Sequence, residues 1–223
     1  MNINTFHTLI THLPVQQQCF KTKRSNWRKA ESKIDWLEKM NDKLFENKET
    51  VSICRQDIFN TKDVRERIIK TIYWGYPRGM RGNHFVNILI NIEIIEKAIK
   101  EFSIQKYQNS QDFEEVIQAF KAVPGLGLST YSKLLYFFKV RLNDNQCLIL
   151  DQRVIDVLSS KFYSNFKALS RISYSNAESK YFEYVEMLGD LSKQLNIEGE
   201  NIEQFLFIFG NGLKKEAFQL DAK

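Results

Sequence analysis

Apolar residues along most of the chain recur at steps of three and four, the spacing of helices that bury one face. The regular stretches predict helices over residues 27–46, 63–73, 84–102, 111–122, 130–140, 152–162, 176–195 and 200–209. Strand-like character is confined to residues 145–150 (NQCLIL), which predict a short strand or buried extended chain. The pattern therefore predicts an all-α fold.

Nothing in this pattern predicts a domain boundary. Three prolines and nine glycines interrupt 223 residues, and the sequence contains neither an internal repeat nor a low-complexity linker. This length suits one domain, or two small helical lobes around a shared cleft. We therefore predict a single domain over residues 1–223, whose most informative segment is 111–160.

Charge and cysteine content give limited information on the partner and on the cellular compartment. The formal net charge is +5, which is compatible with a polyanionic partner without requiring one. Residues 1–26 are less periodic and end in basic residues; we interpret them as a solvated leader, with a phosphate-facing arm as the alternative. The three cysteines, Cys19, Cys54 and Cys147, lie far apart in the sequence and do not have the spacing of metal ligands. Because the sequence also shows no secretion signal, we predict a reducing compartment, most simply the cytoplasm. No apolar stretch is long enough for a membrane span.

A glycine turn at residues 123–130 (VPGLGLST) separates two amphipathic helical stretches. Pro124 ends the first helix because it cannot donate the next backbone hydrogen bond. The glycines allow a tight reversal, Leu126 can pin the helices together, and Ser129 or Thr130 is a suitable N-cap. Backbone N–H groups at a helix start bind phosphate. The candidate phosphate-binding residues are Pro124, Gly125, Leu126, Gly127, Ser129 and Thr130. The alternative is a turn that binds nothing.

An aspartate opens the helix that follows this region. The apolar run 147–150 leads directly to Asp151, and Val154, Val157 and Leu158 mark the buried side of the next helix. An aspartate at this position commonly caps the helix. It can also supply a negative charge to a reaction, and the two roles are compatible.

Residues 113–158 resemble the helix-hairpin-helix DNA glycosylases, and loosely their 8-oxoguanine branch. The resemblance lies in the order of the features: a turn, a helix, an apolar run and then Asp-x-x-Val at a helix start. The resemblance implies two helical lobes around a DNA-binding cleft. It also implies that the turn grips the strand, that a modified base is flipped out of double-stranded DNA, and that Asp151 stabilises the oxocarbenium charge on the deoxyribose. The stretch between the turn and Asp151 is a few residues longer than usual, and we assign the excess to the 139–146 loop.

The resemblance also bears on the nucleophile and on cofactors. Ser129 occupies the position of the lyase lysine in bifunctional relatives, which implies a monofunctional enzyme that uses water; Lys133, one turn later, is the alternative nucleophile. The C-terminal third contains no cysteine, so we expect no iron–sulfur cluster, no other cofactor and no metal site. The resemblance leaves room for a monovalent cation at the turn. The expected partner is double-stranded DNA with a modified base, bound by a monomer in a prokaryotic-type nucleoid.

The loop 73–83 is our candidate wall for the base, because it combines rings that can stack with arginines that can pair with phosphate. The candidate base-pocket residues are Trp74, Tyr76, Arg78, Met80 and Arg81. A connector whose rings fill the core is an equal alternative. Residues 205–212 are a second candidate, for which an ordinary core helix is favoured. His84 is interpreted as a surface residue.

Three functions are therefore compatible with the sequence. The leading hypothesis is a glycosylase that hydrolyses the N-glycosidic bond of a modified base, an oxidised purine being the family-weighted choice. The second is a helix-hairpin-helix module that binds DNA without catalysis, and the third is an all-α interaction protein. Repair and defence against modified phage DNA are both open.

Overall fold

The computed structural model describes residues 1–104 and 110–213, which are mostly helical, as predicted. The helices are α1 (His7–Thr11), α2 (Arg28–Glu31), α3 (Leu37–Phe45), α4 (Arg55–Asn60), α5 (Val64–Gly75), α6 (His84–Ile90), α7 (Ile92–Ile104), α8 (Ser110–Lys121), α9 (Leu128–Phe137), α10 (Gln152–Ser159), α11 (Tyr181–Leu195) and α12 (Gly199–Phe209). Strands β1 (Cys19–Lys23) and β2 (Thr50–Cys54) form one antiparallel pair, and β3 (Arg141–Leu142) and β4 (Asn145–Gln146) form another.

Two long predicted helices are each divided in the structure. The stretch 84–102 forms α6 and α7, which meet at Asn91. The Asn91 side chain donates to the Asn87 carbonyl oxygen at 2.8 Å, and such a side-chain bond competes with the helical backbone pattern. The stretch 27–46 likewise forms α2 and α3, and the turn between them buries Ile34 in the core. Periodicity alone gave the apolar faces correctly but not these breaks.

The interpretation of residues 1–26 as a solvated leader is wrong. Ile3, Phe6 and Ile10 are buried in the core, and the Met1 ammonium donates to the Phe162 carbonyl oxygen at 2.7 Å. The rest of this segment includes β1, which pairs with β2 over its whole length. The strands escaped prediction because each presents few buried side chains, so their alternation is weak.

The three cysteines, treated above as separate thiols, are not all free. Cys19 and Cys54 face each other at the end of the β1–β2 pair and are joined by a disulfide. Cys147 is free and buried, and burial raises the pKa of its thiol to about 12. Sequence spacing could not reveal the bond, because the strand pairing that creates it was itself missed.

Helix α5 is the centre of the fold, since it packs against α4, α7, α9 and both strands of the first pair. Its buried Tyr73 stacks on Trp27, with ring centres 4.1 Å apart. The last residues of α5, Trp74 and Gly75, reach the site described below. None of the helices described combines the length and apolar character that crossing a membrane requires.

Candidate active site

A cavity of about 240 Å³ lies between the β1–α5 side of the molecule and helices α9, α10 and α12. This volume equals that of about eight water molecules at ~30 Å³ each, which is room for a nucleobase. The residues that line it are Phe20, Arg55, Trp74, Gly75, Pro77, Lys133, Ile149, Asp151, Arg153, Glu203 and Phe207. The cavity therefore brings together both candidate reactive residues, Asp151 and Lys133.

Asp151 sits at the start of α10 and caps it, as predicted. Its Oδ1 atom accepts hydrogen bonds from the backbone N–H groups of Arg153 at 3.0 Å and Val154 at 3.3 Å. Capping fixes the side chain against its own helix. Because both bonds use Oδ1, Oδ2 is available to a ligand in the cavity.

The extended run before Asp151 is held by hydroxyl groups from two helices. Tyr181 and Tyr184 of α11 donate to the carbonyl oxygens of Leu148 at 2.8 Å and Ile149 at 2.9 Å. Ser132 Oγ accepts from the backbone N–H of Leu150 at 3.2 Å. Burial raises the pKa of Tyr184, with the nearby acidic side chains adding to the rise, so this hydroxyl stays protonated as a donor. The run is thereby fixed without a sheet.

Lys133 projects from α9 into the cavity and is 4 % exposed. Its Nζ donates to the Ser129 carbonyl oxygen at 2.6 Å and to Ser129 Oγ at 3.0 Å. The ammonium also lies 5.4 Å from the centre of the Tyr76 ring. In the part of the chain described, no carboxylate forms an ion pair with Lys133. A buried lysine without a carboxylate partner is typical of reactive lysines more than of structural ones.

The turn at residues 122–127 joins α8 to α9 and borders a second, more open groove of about 650 Å³. Gly125 has φ of +88°, and a β-carbon added there would lie 2.7 Å from the His84 ring, so only glycine fits. Leu126 is buried and Pro124 exposed, as the pinned turn requires. His84, interpreted above as a surface residue, is exposed but also supports the turn.

The predicted N-cap of α9 is wrong. The helix begins at Leu128 with Gly127 as its cap residue, and no side chain caps it. Ser129 lies within the first turn and accepts from Lys133, whereas Thr130 is buried and its hydroxyl bonds that of Tyr76 at 2.7 Å. The Thr130 N–H donates to the Gly127 carbonyl oxygen at 2.8 Å, whereas no side chain caps the N–H groups of Leu128 and Ser129. A β-carbon added at Gly127 would meet nothing within 4 Å, so a ligand can approach there.

The candidate base-pocket residues are divided between the two sites. Trp74 lines the cavity and is 3 % exposed, which agrees with a wall. Tyr76, Met80 and Arg81 line the groove beside the turn instead. Arg78 is exposed and lines neither. Of residues 205–212, Phe207 alone lines the cavity.

Sequence reasoning missed a buried ion pair in the cavity wall. Arg55 Nη2 lies 2.9 Å from Glu203 Oε2, and both side chains are 1 % exposed. The Arg55 guanidinium lies 5.1 Å from the Trp74 ring centre and 5.0 Å from that of Tyr136. Burial raises the pKa of the Glu203 carboxyl, while Arg55 opposes that rise. A usable signal was Glu203 itself, a charge within the strongly apolar stretch 202–209.

The cavity thus has aromatic walls in Phe20, Trp74 and Phe207, and its lining also includes the Asp151 carboxylate and the Lys133 amine. Within the part of the chain that the structure describes, no group of three or more His, Cys, Asp or Glu side chains could hold a metal ion. Asp151 and Lys133 supply a carboxylate and an amine to the cavity.

A family model described as "Putative 8-oxoguanine DNA glycosylase OGG-like protein" matches residues 13–207, which include every residue that lines the cavity. No curated protein and no solved structure matches the chain. The match covers well over half of the sequence and spans the turn, Asp151 and most of α12. The chain therefore belongs to this OGG-like family.

Proposed function

We propose that this protein is a DNA glycosylase that flips a modified base, an oxidised purine, out of double-stranded DNA and cleaves its N-glycosidic bond through Asp151. The observation that carries the proposal is the position of Asp151 in a base-sized cavity with an aromatic wall. The uncapped start of α9 lies beside it, since Lys133 spans from the cavity to Ser129 in the groove.

Each part has a physical task in this reaction. The N–H groups of Leu128 and Ser129, which no side chain caps, and the open face of Gly127 bind a backbone phosphate. The extruded base then stacks in the cavity, which compensates for part of the cost of flipping it. Bond cleavage builds positive charge on the sugar, and the Asp151 carboxylate stabilises that charge.

The test is base release from duplex oligonucleotides that each contain one modified base, with abasic sites revealed by alkali. We expect release of at least one oxidised purine, and a loss of roughly 100-fold or more in Asp151→Asn, because the charge is removed. Asp156→Asn is the matched control, since Asp156 is exposed on the same helix and bonds Gln152. A wild type that binds DNA but releases no base would establish the non-catalytic binding module instead.

A second candidate activity is strand cleavage with Lys133 as the nucleophile. The monofunctional prediction rests on Ser129 and stays a prediction. The specific observation that favours a lyase is that Lys133, not Ser129, lines the cavity with Asp151. In this reaction the neutral Lys133 amine attacks C1′ and the base departs with the bonding electrons. The C1′–O4′ bond then opens as the nitrogen lone pair forms the C1′=N bond, and O4′ takes up the proton that the amine has lost. The Schiff base so formed permits elimination of the 3′ phosphate.

Borohydride reduction of the reaction mixture separates the two mechanisms. A bifunctional enzyme gives a covalent protein–DNA adduct, which is lost in Lys133→Ala. Lys193→Ala is the control, because Lys193 is exposed and remote from the cavity lining. Base release without any adduct would establish the monofunctional mechanism, with water as the nucleophile.

A further inference from the structure

The Lys133 amine is held at the boundary between the cavity and the groove. Lys133 lines the cavity with Asp151, but its Nζ donates to the Ser129 carbonyl oxygen at 2.6 Å and to Ser129 Oγ at 3.0 Å. Ser129 does not line the cavity and instead borders the groove beside the turn. Ser129 therefore connects a side chain of the cavity with the groove in which we place the DNA strand.

The Ser129 hydroxyl has one hydrogen-bonding position left. A serine hydroxyl offers one O–H donor and two acceptor positions. Ser129 Oγ accepts from Lys133 Nζ and, at 3.4 Å, from the Tyr76 hydroxyl, which in turn is bonded to Thr130 Oγ1 at 2.7 Å. Among the described residues, this oxygen donates to no acceptor. Because Ser129 is only half-buried and lines the groove, its O–H is accessible to a molecule bound there.

The groups around this O–H suit an anion. The N–H groups of Leu128 and Ser129, which no side chain caps, lie at the same helix start, and the open face of Gly127 lets a ligand approach. The Lys133 ammonium polarises the hydroxyl that accepts from it, and this makes the O–H a stronger donor. A phosphate of a DNA strand supplies the charged acceptor with which such a donor forms its strongest hydrogen bonds.

The charges that line the groove do not oppose an anion. Of the lining residues, Glu178 is the acidic one, and its carboxylate forms an ion pair with Lys121. Arg81 lines the same groove and adds a positive charge. An anion at the start of α9 therefore meets no unpaired carboxylate among the lining residues that the structure describes.

We propose that Ser129 is a positioning residue whose hydroxyl donates to a phosphate of the bound strand while it accepts from Lys133. Strand binding then fixes the amine in the cavity, and the amine in turn strengthens strand binding, because the coupling between two binding contacts is reciprocal. This inference rests on the strand-binding step of the proposed function, and it holds whether or not Lys133 is the nucleophile.

A double-mutant cycle on DNA binding tests this link. The probe is duplex DNA with one tetrahydrofuran abasic site, so that the measurement requires no base release. Ser129→Ala should weaken binding roughly 10-fold, because a hydrogen bond to a charged group is lost. Lys133→Met keeps the length of the side chain without its charge. In that variant the effect of Ser129→Ala should be smaller by a factor of roughly three or more, because the two side chains belong to one hydrogen-bond network.

Ser159→Ala is the control for the cycle. The Ser159 hydroxyl donates to the Asp156 carbonyl oxygen at 3.1 Å, and Ser159 lines neither the cavity nor the groove. Its substitution should leave DNA affinity unchanged, both in the wild type and in Lys133→Met.

A second measurement removes the charge of the phosphate instead of the hydroxyl. The abasic duplex is prepared with a single neutral methylphosphonate linkage, placed in turn at each position near the abasic site. Wild-type binding should weaken roughly 10-fold at the contacted linkage. The same ratio should be smaller by a factor of roughly three in Ser129→Ala, because part of the contact is already absent. A ratio of affinities within one variant is independent of the fraction of protein that is folded.

Two results overturn the inference and leave the glycosylase intact: additive effects of Ser129→Ala and Lys133→Met, or methylphosphonate ratios in Ser129→Ala that equal those of the wild type. A wild type that shows the coupling but releases no modified base supports the link between Ser129 and Lys133 and overturns the proposed catalysis. Failure of the wild type to bind the duplex overturns both.

Discussion

Gly75 lies so close to Lys133 that a β-carbon added at residue 75 would be 2.7 Å from Lys133 Cδ and 3.0 Å from Cε. The last residue of α5 thus forms the surface over which the lysine stem extends into the cavity. Lys133 is anchored at its far end by Ser129, so both ends of its path are defined. The position of the amine depends on the absence of a side chain at residue 75.

Gly75→Ala should therefore reduce activity without reducing stability. The added methyl group displaces the flexible Lys133 stem, and a misplacement of about 1 Å can lower a rate roughly 100-fold. Alanine favours the helix relative to glycine, so the melting temperature should stay the same or rise. Borohydride trapping and base release measure the first effect, and thermal unfolding measures the second. Gly212→Ala, with no close contact, is the control; full activity in Gly75→Ala would contradict this account of Lys133.

Tyr184→Phe should destabilise the run that carries Asp151. Removal of the hydroxyl leaves the buried Ile149 carbonyl without its donor, which costs about 1–3 kcal/mol in the free energy of unfolding. Tyr163→Phe is a matched control, because the Tyr163 hydroxyl is buried without a hydrogen-bond partner in the described residues. Its removal should be neutral or stabilising. Urea denaturation of both variants tests the difference, and equal losses would show that the Tyr184 bond contributes nothing specific.

The parts of the candidate site that the sequence could indicate lie in a single local segment. The turn at 123–130 and Asp151 lie within one continuous stretch, and their signals are glycine conformation and helix capping, which are local properties. Arg55 and Glu203 could not be paired in this way, because 147 residues lie between them and only the tertiary fold brings them together. The same reason explains the missed β1–β2 pair, because each strand is stabilised by pairing with the other and not by a local signal of its own.

Lys133 and Ser129 lie on the same helix but border different spaces. Ser129 was assigned the lyase position from the number of residues that separate it from the glycine turn. In the structure Ser129 lies at the groove, and the residue one turn later, on the same helix face, reaches the cavity. The number of residues along a helix shows which side chains share a face, but it does not show which of them reaches a given cavity.

The cysteines should differ sharply in reactivity. After mild reduction of the native protein, an alkylating reagent should modify Cys19 and Cys54 but not Cys147. Cys19 is exposed and Cys54 partly so, whereas burial raises the pKa of Cys147 to about 12 and leaves almost no thiolate near pH 8. Intact mass spectrometry counts the labels. Labelling of both Cys19 and Cys54 before any reduction would show that they are not joined in solution.

Breaking the disulfide should also lower stability. The bond closes a loop with a sequence separation of 35, for which chain entropy gives about 3–4 kcal/mol. Arg55 and Phe20, each adjacent to one of the cysteines, line the cavity, so activity should fall with stability. Urea denaturation of Cys19→Ser with and without reductant is the measurement. A reductant-sensitive loss in wild type that is absent in Cys19→Ser would confirm the assignment.

The stability of the start of α5 should depend on pH through Glu66. Lys43 and Lys70 donate to its carboxylate at 2.6 and 2.8 Å, and although burial opposes them, the pKa of Glu66 is lowered. A carboxyl whose folded-state pKa is below the unfolded value stabilises the fold above the unfolded value and loses that contribution as pH falls through the folded value.

Glu66→Gln should accordingly lower the free energy of unfolding at pH 7 by about 1 kcal/mol or less, because Lys43 is largely exposed and solvent screens its charge. The difference from wild type should shrink as pH falls below 4, where the unfolded chain and then the folded chain take up the proton. Glu46→Gln is the control: Glu46 pairs with Lys48 at an exposed position, and this pair should contribute almost nothing at either pH. Urea denaturation across this range measures the effect, and a deficit that persists unchanged to pH 3 would mean that Glu66 acts through packing rather than through its charge.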